Sequence, residues 1–345
     1  MATIKDIAKA ANVSIATVSM ALNDKDCITK KTKDKVLKVA KELNYTPSIA
    51  AQTLKTNRTK TISLLIGDIA NPFFPELIKG VEKSAREHDY NVLIFDLSGR
   101  EEVVADEIKK SLSQRVDGLF ITGAYPVSKE TMDKLHLMCD EGLKMITCNR
   151  FMVSDRMPII IADEKPEIEN LLCKMVAFGH KQIGCISGPK GYWVTNDREE
   201  CFKSTLEQFD LYHPEYIVNT GYEFDHGRKA TRELLTAHPE ITALMCINDT
   251  LAIGSATEAK AMGYSLPGDL SIFGVDGIEY LRYYTPEITT VDTHRYEYGY
   301  IGTERLIKMI ESGDHMEPEL LKNIYYPCSI AVGATITNPR KRVIE

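Results

Sequence analysis

From residue 61 onward the chain alternates short apolar runs with longer segments of helical pattern. The runs occupy residues 62–66, 92–95, 118–121 and 145–147, followed by 159–161, 183–186, 243–247 and 271–275. Apolar runs of strand length separated by helical segments are typical of βαβ units, which build parallel sheets. Because the runs form two series, the sequence predicts an α/β body of two doubly wound parallel-sheet lobes.

The loops after these runs carry the polar side chains expected at a ligand site. Doubly wound sheets bind ligands beyond the carboxyl ends of their strands. The loops concerned contain residues 68–74, 149–150, 163, 197–198, 248–249 and 276. Acids, amides, arginines and aromatics together suit a polar, hydroxyl-rich small ligand. Helix caps, turns and core aromatics are the alternative interpretation of each residue taken singly.

Charge is distributed unevenly between the first 60 residues and the rest. Residues 1–60 contain 12 Lys or Arg and 5 Asp or Glu, whereas the whole chain has a net charge of −7. A basic segment attached to an acidic body suits a phosphate-binding module beside a body that need not touch nucleic acid. A solvated lysine-rich surface has the same composition, so the residue pattern must decide.

That pattern predicts three short helices in the basic segment. The apolar positions recur at helical spacing, as Ile4, Ile7, Ala8 and Ala11, then Val18, Ala21 and Leu22, then Val36, Val39, Ala40 and Leu43. Asn12 and Val13 interrupt the first stripe, and Ser14 is placed to cap the second helix. Two short helices joined by so tight a turn predict a helix-turn-helix.

The order of residues in this segment resembles the DNA-binding head of the LacI/GalR (lactose-repressor) family. The matching run is TIKDIAKAANVSIATVSMALN, followed by LNYTP at 43–47 and by Ala51 and Leu54. The resemblance implies that the second helix enters the major groove and that residues 48–55 form a hinge helix on the operator. Leu54 would be a minor-groove wedge, the alternative being a linker residue packed on the body.

The resemblance assigns operator contacts to twelve positions. These are Thr3, Ser14, Ile15, Ala16, Thr17, Ser19, Met20, Asn23, Thr32, Ala51, Leu54 and Lys55. Ile15 and Ala16 stand where relatives often have polar or cationic side chains, and they cannot make bidentate hydrogen bonds to bases. We therefore expect them to contact thymine methyl groups, while Ser14, Thr17 and Thr32 position phosphates.

The rest of the chain resembles the regulatory body of the same family, which is similar to periplasmic sugar-binding proteins. The matching segments include NPFF, FGHKQIGCISGP, INDTLAIG, LPGDLSIFGVD and ITTVD. The resemblance assigns ligand contacts to Asn71, Phe73, Phe74, Arg150, Asp163, Arg198, Tyr222, Asn248 and Asp276. Three positions depart from the family pattern: Glu164 replaces an asparagine, Cys201 a glycine and Gly277 an acid.

These observations predict three regions. Residues 1–47 form an all-α helix-turn-helix head, 48–60 a hinge helix and linker, and 61–345 an effector-binding and dimerisation body. Within the body, we expect a first lobe at about 61–160 and 292–322, and a second at about 161–291 and 323–340. The tail after residue 338 has no heptads, which favours a dimer over a tetramer.

The predicted function is sequence-specific transcriptional regulation, most simply repression. The expected partners are a pseudo-palindromic double-stranded operator, a second copy of the chain and a carbohydrate effector. A purine or nucleoside, or a protein co-repressor, is the alternative regulator. An enzyme or a solute-binding protein is the alternative of another class. No P-loop, GxGxxG or nucleophile elbow supports an enzyme, and the basic head does not suit a solute-binding protein.

Composition and spacing limit cofactors and location. The eight cysteines are dispersed without a CxxC pair or zinc spacing, so we expect reduced packing residues, no metal and no cofactor. No apolar run reaches the roughly 18 residues that span a bilayer, and the first residues lack a signal-peptide pattern. The sequence therefore predicts a cytoplasmic, nucleoid-associated protein that is not membrane-bound.

Overall fold

The computed structural model describes residues 2–22, 27–45, 58–98, 101–123, 126–148, 150–152 and 154–339. The chain divides into two compact units, Met1–Thr59 and Lys60–Glu345. Four of the predicted operator-contact positions, Asn23, Ala51, Leu54 and Lys55, lie outside the described residues, as does most of the predicted hinge. Those assignments stay predictions.

The first unit contains the three predicted helices, α1 (Ile4–Ala11), α2 (Ile15–Leu22) and α3 (Lys30–Glu42). Their apolar stripes meet in one small core formed by Ile7, Ala8, Ala11, Val18, Ala21, Val36 and Ala40. The α1–α2 turn is tight because Asn12 adopts a left-handed conformation, with φ of 49°, which asparagine tolerates better than most residues. The helix-turn-helix prediction is confirmed.

In the second unit, the first lobe is built on a parallel sheet with strand order β2-β1-β3-β4. Its strands are β1 (Thr61–Ile66), β2 (Asn91–Asp96), β3 (Gly118–Ile121) and β4 (Lys144–Thr147), and its helices are α4 (Phe74–Glu87), α5 (Glu101–Ser113) and α6 (Lys129–Asp140). Separate apolar clusters cover the two faces of the sheet. Continuous apolar strands are what a sheet buried on both faces requires.

The second lobe contains a six-stranded sheet and one continuous core. The remaining elements of the second unit, of which β5, α11 and β11 pack against the first lobe, are β5 (Ile160–Asp163), α7 (Lys165–Ala177), β6 (Ile183–Ser187), α8 (Trp193–Glu207), β7 (Ile217–Asn219), α9 (Phe224–Ala237), β8 (Ala243–Cys246), α10 (Asp249–Ala261), β9 (Ser271–Asp276), β10 (Thr289–Asp292), α11 (Arg295–Ser312), β11 (Ile324–Pro327) and β12 (Ser329–Ala331). The sheet order is β12-β10-β9-β8-β6-β7, and only β12 runs antiparallel. The eight predicted strands are all present.

The chain crosses between the lobes after β5, after β10 and after β11. β5 pairs in parallel with β11, and the adjacent residue Ile159 bridges to Thr147 of β4. Ile160 and α11 pack in the core of the first lobe. β5 and β11 therefore form a two-stranded parallel sheet beside β4 of the first lobe, and the predicted lobe bounds stay predictions.

Helices α4 and α11 approach each other through two glycines. A Cβ at Gly80 would overlap the backbone carbonyl of Tyr296, and a Cβ at Gly299 would overlap the carbonyl of Leu77. These obstacles are backbone atoms, so no side-chain rotation can relieve the overlap. The contact therefore fixes the spacing of the two helices.

We expect Gly80→Ala to lower the free energy of unfolding by about 1–3 kcal/mol, the range for overpacking a tight core. The new methyl group must push α11 away from α4, which outweighs the better helix propensity of alanine. Thermal and denaturant unfolding measure the loss. Glu82→Ala on the exposed face of the same helix is the control, and equal stabilities of the two variants would contradict this packing argument.

Candidate functional site

A cleft of about 650 Å³ opens between the two lobes of the second unit. It lies beyond the carboxyl ends of the strands, as predicted for doubly wound sheets. Seven of the nine predicted ligand residues line it: Asn71, Phe73, Phe74, Arg198, Tyr222, Asn248 and Asp276. Its volume matches that of a typical small-molecule site.

Arg198 is the centre of the polar side of the cleft. Its Nε donates to Glu164 Oε1 at 2.7 Å and its Nη2 donates to Glu164 Oε2 at 2.6 Å, a bidentate pair. Nη2 also donates to Asp276 Oδ1 at 3.2 Å, and Nη1 donates to the carbonyl of Ile247. Four of the five guanidinium N–H groups are therefore engaged within the protein.

Burial and charge act in opposite directions on this cluster. Burial disfavours the charged guanidinium and so lowers the pKa of Arg198. The carboxylates of Glu164 and Asp276 outweigh burial, and the pKa of Arg198 lies above its ordinary value. Burial raises the pKa of Asp276, the nearby carboxylate of Glu164 adds to the increase, and Arg198 and Arg295 only partly offset it. Arg198 is thus always charged, and Asp276 depends on it to stay ionised.

The backbone at Asp276 is held in a conformation that non-glycine residues rarely adopt, with φ of +124°. The next residue, Gly277, has φ of +78°, and a Cβ there would lie 2.6 Å from Asp292 Oδ1. Asp249 holds this turn, because its Oδ2 accepts the N–H groups of Gly277 at 2.6 Å and Ile278 at 2.8 Å. In this chain the turn therefore favours glycine at 277.

Asp249 is fully buried at the start of α10. Its Oδ1 accepts the hydroxyl of Thr290 at 2.6 Å. Burial and the neighbouring Asp276 carboxylate raise the pKa of Asp249, while its three hydrogen bonds lower it; the balance is upward. The sequence suggested a helix-capping role for residues 248–249, and the structure gives Asp249 the larger role of fixing the turn that presents Asp276.

Aromatic rings form the other side of the cleft. Phe73 and Phe74 meet edge to face at 5.3 Å, and Tyr192 and Tyr222 do so at 5.8 Å. The Tyr222 hydroxyl lies 3.0 Å from Thr195 Oγ1. Such rings suit the apolar face of a sugar or a planar base. Tyr192 is missing from the predicted set, because an aromatic preceding a helix carries no distinctive pattern.

The two predicted amides mainly organise backbone. Asn248 caps α10, its Oδ1 accepting Leu251 N–H at 2.7 Å, and its Nδ2 donates to the Tyr222 carbonyl at 3.1 Å. Asn71 Oδ1 accepts Phe73 N–H at 2.9 Å. These contacts support the capping interpretation and leave the predicted ligand contacts of both amides as predictions.

Two of the predicted ligand residues, Arg150 and Asp163, are not among the residues that line the cleft. Arg150 forms an ion pair with Asp197, with Nε 2.9 Å from Oδ2, and stacks over Trp193 at 5.6 Å. Asp163 ends β5 with an exposed side chain, and the next residue, Glu164, faces the cleft instead. Alternate residues of a strand point to opposite faces, so a shift of one position changes the residue presented.

Contacts across the cleft join the two lobes. Besides the Arg150–Asp197 pair, the Trp193 indole N–H lies 3.4 Å from the Gly123 carbonyl. Arg295 donates to the Pro72 carbonyl of the first lobe at 3.2 Å and to the Gly277 carbonyl of the second. Arg295 thus ties the turn beside Asp276 to the loop that carries the phenylalanines. Neither Trp193 nor Arg295 was among the predicted site residues.

In the helix-turn-helix unit, several predicted contact residues also cap helices. Ser14 Oγ accepts Thr17 N–H at 3.0 Å, confirming Ser14 as the cap of α2. Thr3 caps α1 together with Asp6, and the hydroxyl of Thr32 lies 2.9 Å from that of Thr29, the cap of α3. Ile15 is 46% exposed at the start of α2. Ala16 is exposed, and Ser19 and Met20 are half-buried.

Two other kinds of feature are absent from the part of the chain that the structure describes. No group of three or more His, Cys, Asp or Glu side chains there has the geometry to hold a metal ion. None of the helices described is both long enough and apolar enough to cross a membrane.

Comparison with known proteins gives two family matches. Residues 3–48 match the model described as bacterial regulatory proteins, lacI family. Residues 59–329 match the model described as periplasmic binding proteins and sugar binding domain of LacI family. The boundary between the matches coincides with the division of the chain into two units.

Two curated relatives cover most of the chain. The ribose operon repressor of Halalkalibacterium halodurans is 36% identical over 90% of this chain and 91% of that protein. The transcriptional repressor CytR of Escherichia coli is 32% identical over 91% of each chain. Among solved structures, the lac repressor dimer bound to operator and the anti-inducer ONPF has a TM-score of 0.85 at 23% identity, covering 97% of this chain and 99% of that one.

The Arg198 cluster predicts a pH-dependent loss of stability. Arg198→Met leaves buried carboxylates without their counter-charge, so we expect a loss of about 3–5 kcal/mol at pH 7.5. Arg198 lowers the pKa of Asp276 in the wild type, so its removal raises that pKa further above the value in the unfolded chain. A carboxyl group whose pKa is raised by folding destabilises the fold progressively as pH rises above its unfolded pKa. The loss should therefore shrink at pH 5.5, where the variant takes up protons.

Thermal unfolding of both proteins between pH 5.5 and 7.5 measures this effect. Arg156→Met is the control, because its ion pair with Asp140 is solvent-exposed and should contribute less than about 1 kcal/mol at either pH. If Arg198→Met lowers the free energy of unfolding equally at both pH values, the loss does not arise from the carboxylates that Arg198 contacts.

Proposed function

Because the chain belongs to the LacI family of bacterial DNA-binding regulators, we propose that it is a homodimeric repressor whose operator affinity is controlled by a hydroxyl-rich ligand in the cleft. One observation carries the proposal: a helix-turn-helix unit and a ligand-sized cleft of binding-protein type occur in the same chain. We also propose that the protein acts in the cytoplasm, on the DNA of the nucleoid. We assign it no catalytic activity.

The ligand is proposed to lie between the aromatic rings and the carboxylates. Hydroxyl groups donate to carboxylate oxygens, and charge-assisted bonds of this kind are the stronger class. Glu164 and Asp276 are held in place by Arg198, so they present acceptors without a large ordering cost. Phe74 and Tyr222 would cover the apolar face of the ligand. A sugar, or the ribose of a nucleoside, offers both features.

The relatives support this ligand class. One is named for the ribose operon, and a regulator of the same family from Enterococcus faecium was solved with bound ribose, with a TM-score of 0.70 and 23% identity over 81% of this chain. For this chain the proposal is the chemical class, a pentose, hexose or nucleoside, and not one compound.

Ligand binding is proposed to act through the contacts that join the lobes. A ligand beside Asp276 and Phe73 also touches the region that Arg295 ties together. A change in lobe orientation would alter how the two heads of a dimer meet the two half-sites of the operator. Two heads acting together bind far more tightly than one, so a modest change in their alignment is sufficient for control.

On DNA, α2 is the proposed reading helix. Its exposed face starts with Ile15 and Ala16, which have no hydrogen-bonding group to offer a base. Apolar side chains in the major groove contact the thymine methyl group. We therefore propose a half-site containing thymine at the positions that these residues contact, with Ser14, Thr17 and Thr32 near phosphates.

The function is tested by selecting duplexes from a random pool with the full-length chain. A pseudo-palindromic site bound with at least 1,000-fold preference over random DNA is expected. Titration of that complex with compounds that raise the melting temperature of the protein then gives the sign of control. Failure to select any duplex would contradict the proposed function.

The ligand assignment predicts different effects for two aspartates. Asp276→Asn removes a charged acceptor in the cleft, so we expect at least tenfold weaker binding of any effector found, measured by calorimetry. Asp163→Asn changes the exposed neighbour of Glu164 and should bind normally. Both variants should keep operator binding in the absence of effector. Equal losses in the two variants would place the ligand elsewhere.

The reading-helix assignment predicts a role for thymine methyl groups. Replacing a contacted thymine by uracil removes one buried methyl, worth about 0.8 kcal/mol, and should weaken operator binding about fourfold. The same replacement should have little effect with Ile15→Ala, measured by fluorescence anisotropy. Uracil outside the half-sites is the control. A G/C-rich half-site that depends on residues 15 and 16 would refute the assignment.

A further inference from the structure

The cleft has an unbalanced set of charges. Four carboxylates line it, those of Asp68, Glu164, Glu223 and Asp276, and Arg198 is the one cation among the described lining residues. Focused charge of one sign in a cleft between low-dielectric walls selects against ligands of that sign. An anionic ligand could therefore bind only if Arg198 were available to balance its charge.

Glu164 occupies most of the hydrogen-bonding groups that Arg198 could offer to an anion. Its carboxylate pairs with both Nε and Nη2 of Arg198, with side chains only 13% and 7% exposed respectively. Asp276 and the Ile247 carbonyl engage Nη2 and Nη1. An anion would have to displace Glu164 from its bidentate pair and leave that carboxylate buried and unpaired.

The other arginines beside the cleft are also engaged. Arg150 pairs with Asp197, and Arg295 donates to the carbonyls of Pro72 and Gly277. Moving either one toward a ligand would break a contact between the lobes. The described residues around the cleft therefore offer an anion no cation that is free of a competing partner.

Glu164 nevertheless keeps capacity for a neutral ligand. A carboxylate has about four acceptor positions, and Arg198 occupies two of them. Although Glu164 precedes α7, its side chain makes no capping hydrogen bond to that helix. Its remaining acceptors suit hydroxyl groups, which carry their own protons and bring no charge into the cleft.

We propose that Glu164 makes this cleft selective for uncharged, hydroxyl-rich ligands and excludes their phosphorylated or carboxylated counterparts. The inference rests on the proposed function and concerns the ligand class of the same cleft. Glu164 acts as a specificity-determining residue because its charge cancels that of Arg198, which leaves the charge of Asp276 uncompensated toward an anionic ligand.

Matched pairs of compounds test the proposal on the full-length protein. The pairs are ribose and ribose 5-phosphate, glucose and glucuronate, galactose and galacturonate, adenosine and its 5′-monophosphate, and cytidine and its 5′-monophosphate. Calorimetry and thermal shift give the ratio of affinities within each pair. We expect at least one uncharged compound to bind, and its charged partner to bind at least tenfold more weakly.

Glu164→Gln removes the charge at nearly constant shape and should reduce that ratio at least fivefold. Glu164→Asp keeps the charge and should still exclude anions. Glu223→Gln is the matched control, because Glu223 also lines the cleft but its side chain is 78% exposed and pairs with His226 rather than Arg198. Its ratio should stay close to that of the wild type, and melting curves confirm that each variant is folded.

Three outcomes overturn the proposal: an anionic member that binds the wild type as tightly as its uncharged partner, a ratio unchanged in Glu164→Gln, or no binding of any uncharged compound. Duplex selection with the same preparations separates the two levels of inference. A selected operator together with any of these outcomes rejects the role of Glu164 alone, whereas failure to select DNA rejects the proposed function.

Discussion

The buried guanidinium of Arg198 is the interaction on which the cleft depends. Two carboxylates, Glu164 and Asp276, come from different elements of the second lobe and meet on one cation. Without it, two negative charges would lie close together with little water, and desolvation would drive at least one to take up a proton. The cation therefore fixes both the positions of the acceptors and their charge.

Asp276 also depends on a second buried acid. Its positive φ is an unfavourable conformation for a residue with a side chain, and such strain persists only where the surroundings over-determine it. Asp249 supplies that constraint through the N–H groups of Gly277 and Ile278. Substitutions at 249 or 277 would therefore change ligand binding without touching the ligand.

The periodicity of the sequence predicts the two-lobed α/β architecture but misses the short strands β7, β10, β11 and β12. Short apolar runs predicted eight strands, and Ser14 was correctly placed as a helix cap, because both depend on local pattern. The cleft was only partly predictable. Arg150 was assigned to the ligand, yet Asp197 from the other lobe engages it, and Asp163 was chosen where Glu164 faces inward. These outcomes depend on long-range contacts and on strand facing, which motif matching does not encode.

The glycine contact between α4 and α11 couples the movements of these two helices. Phe73 and Phe74 lie at the start of α4, and Arg295 begins α11 immediately after a crossing between lobes. Because Gly80 and Gly299 bring the two backbones into direct contact, neither helix can slide or tilt alone. A displacement of Phe73 and Phe74 that moves α4 would therefore move α11 as well, and with it the crossing segment that precedes Arg295.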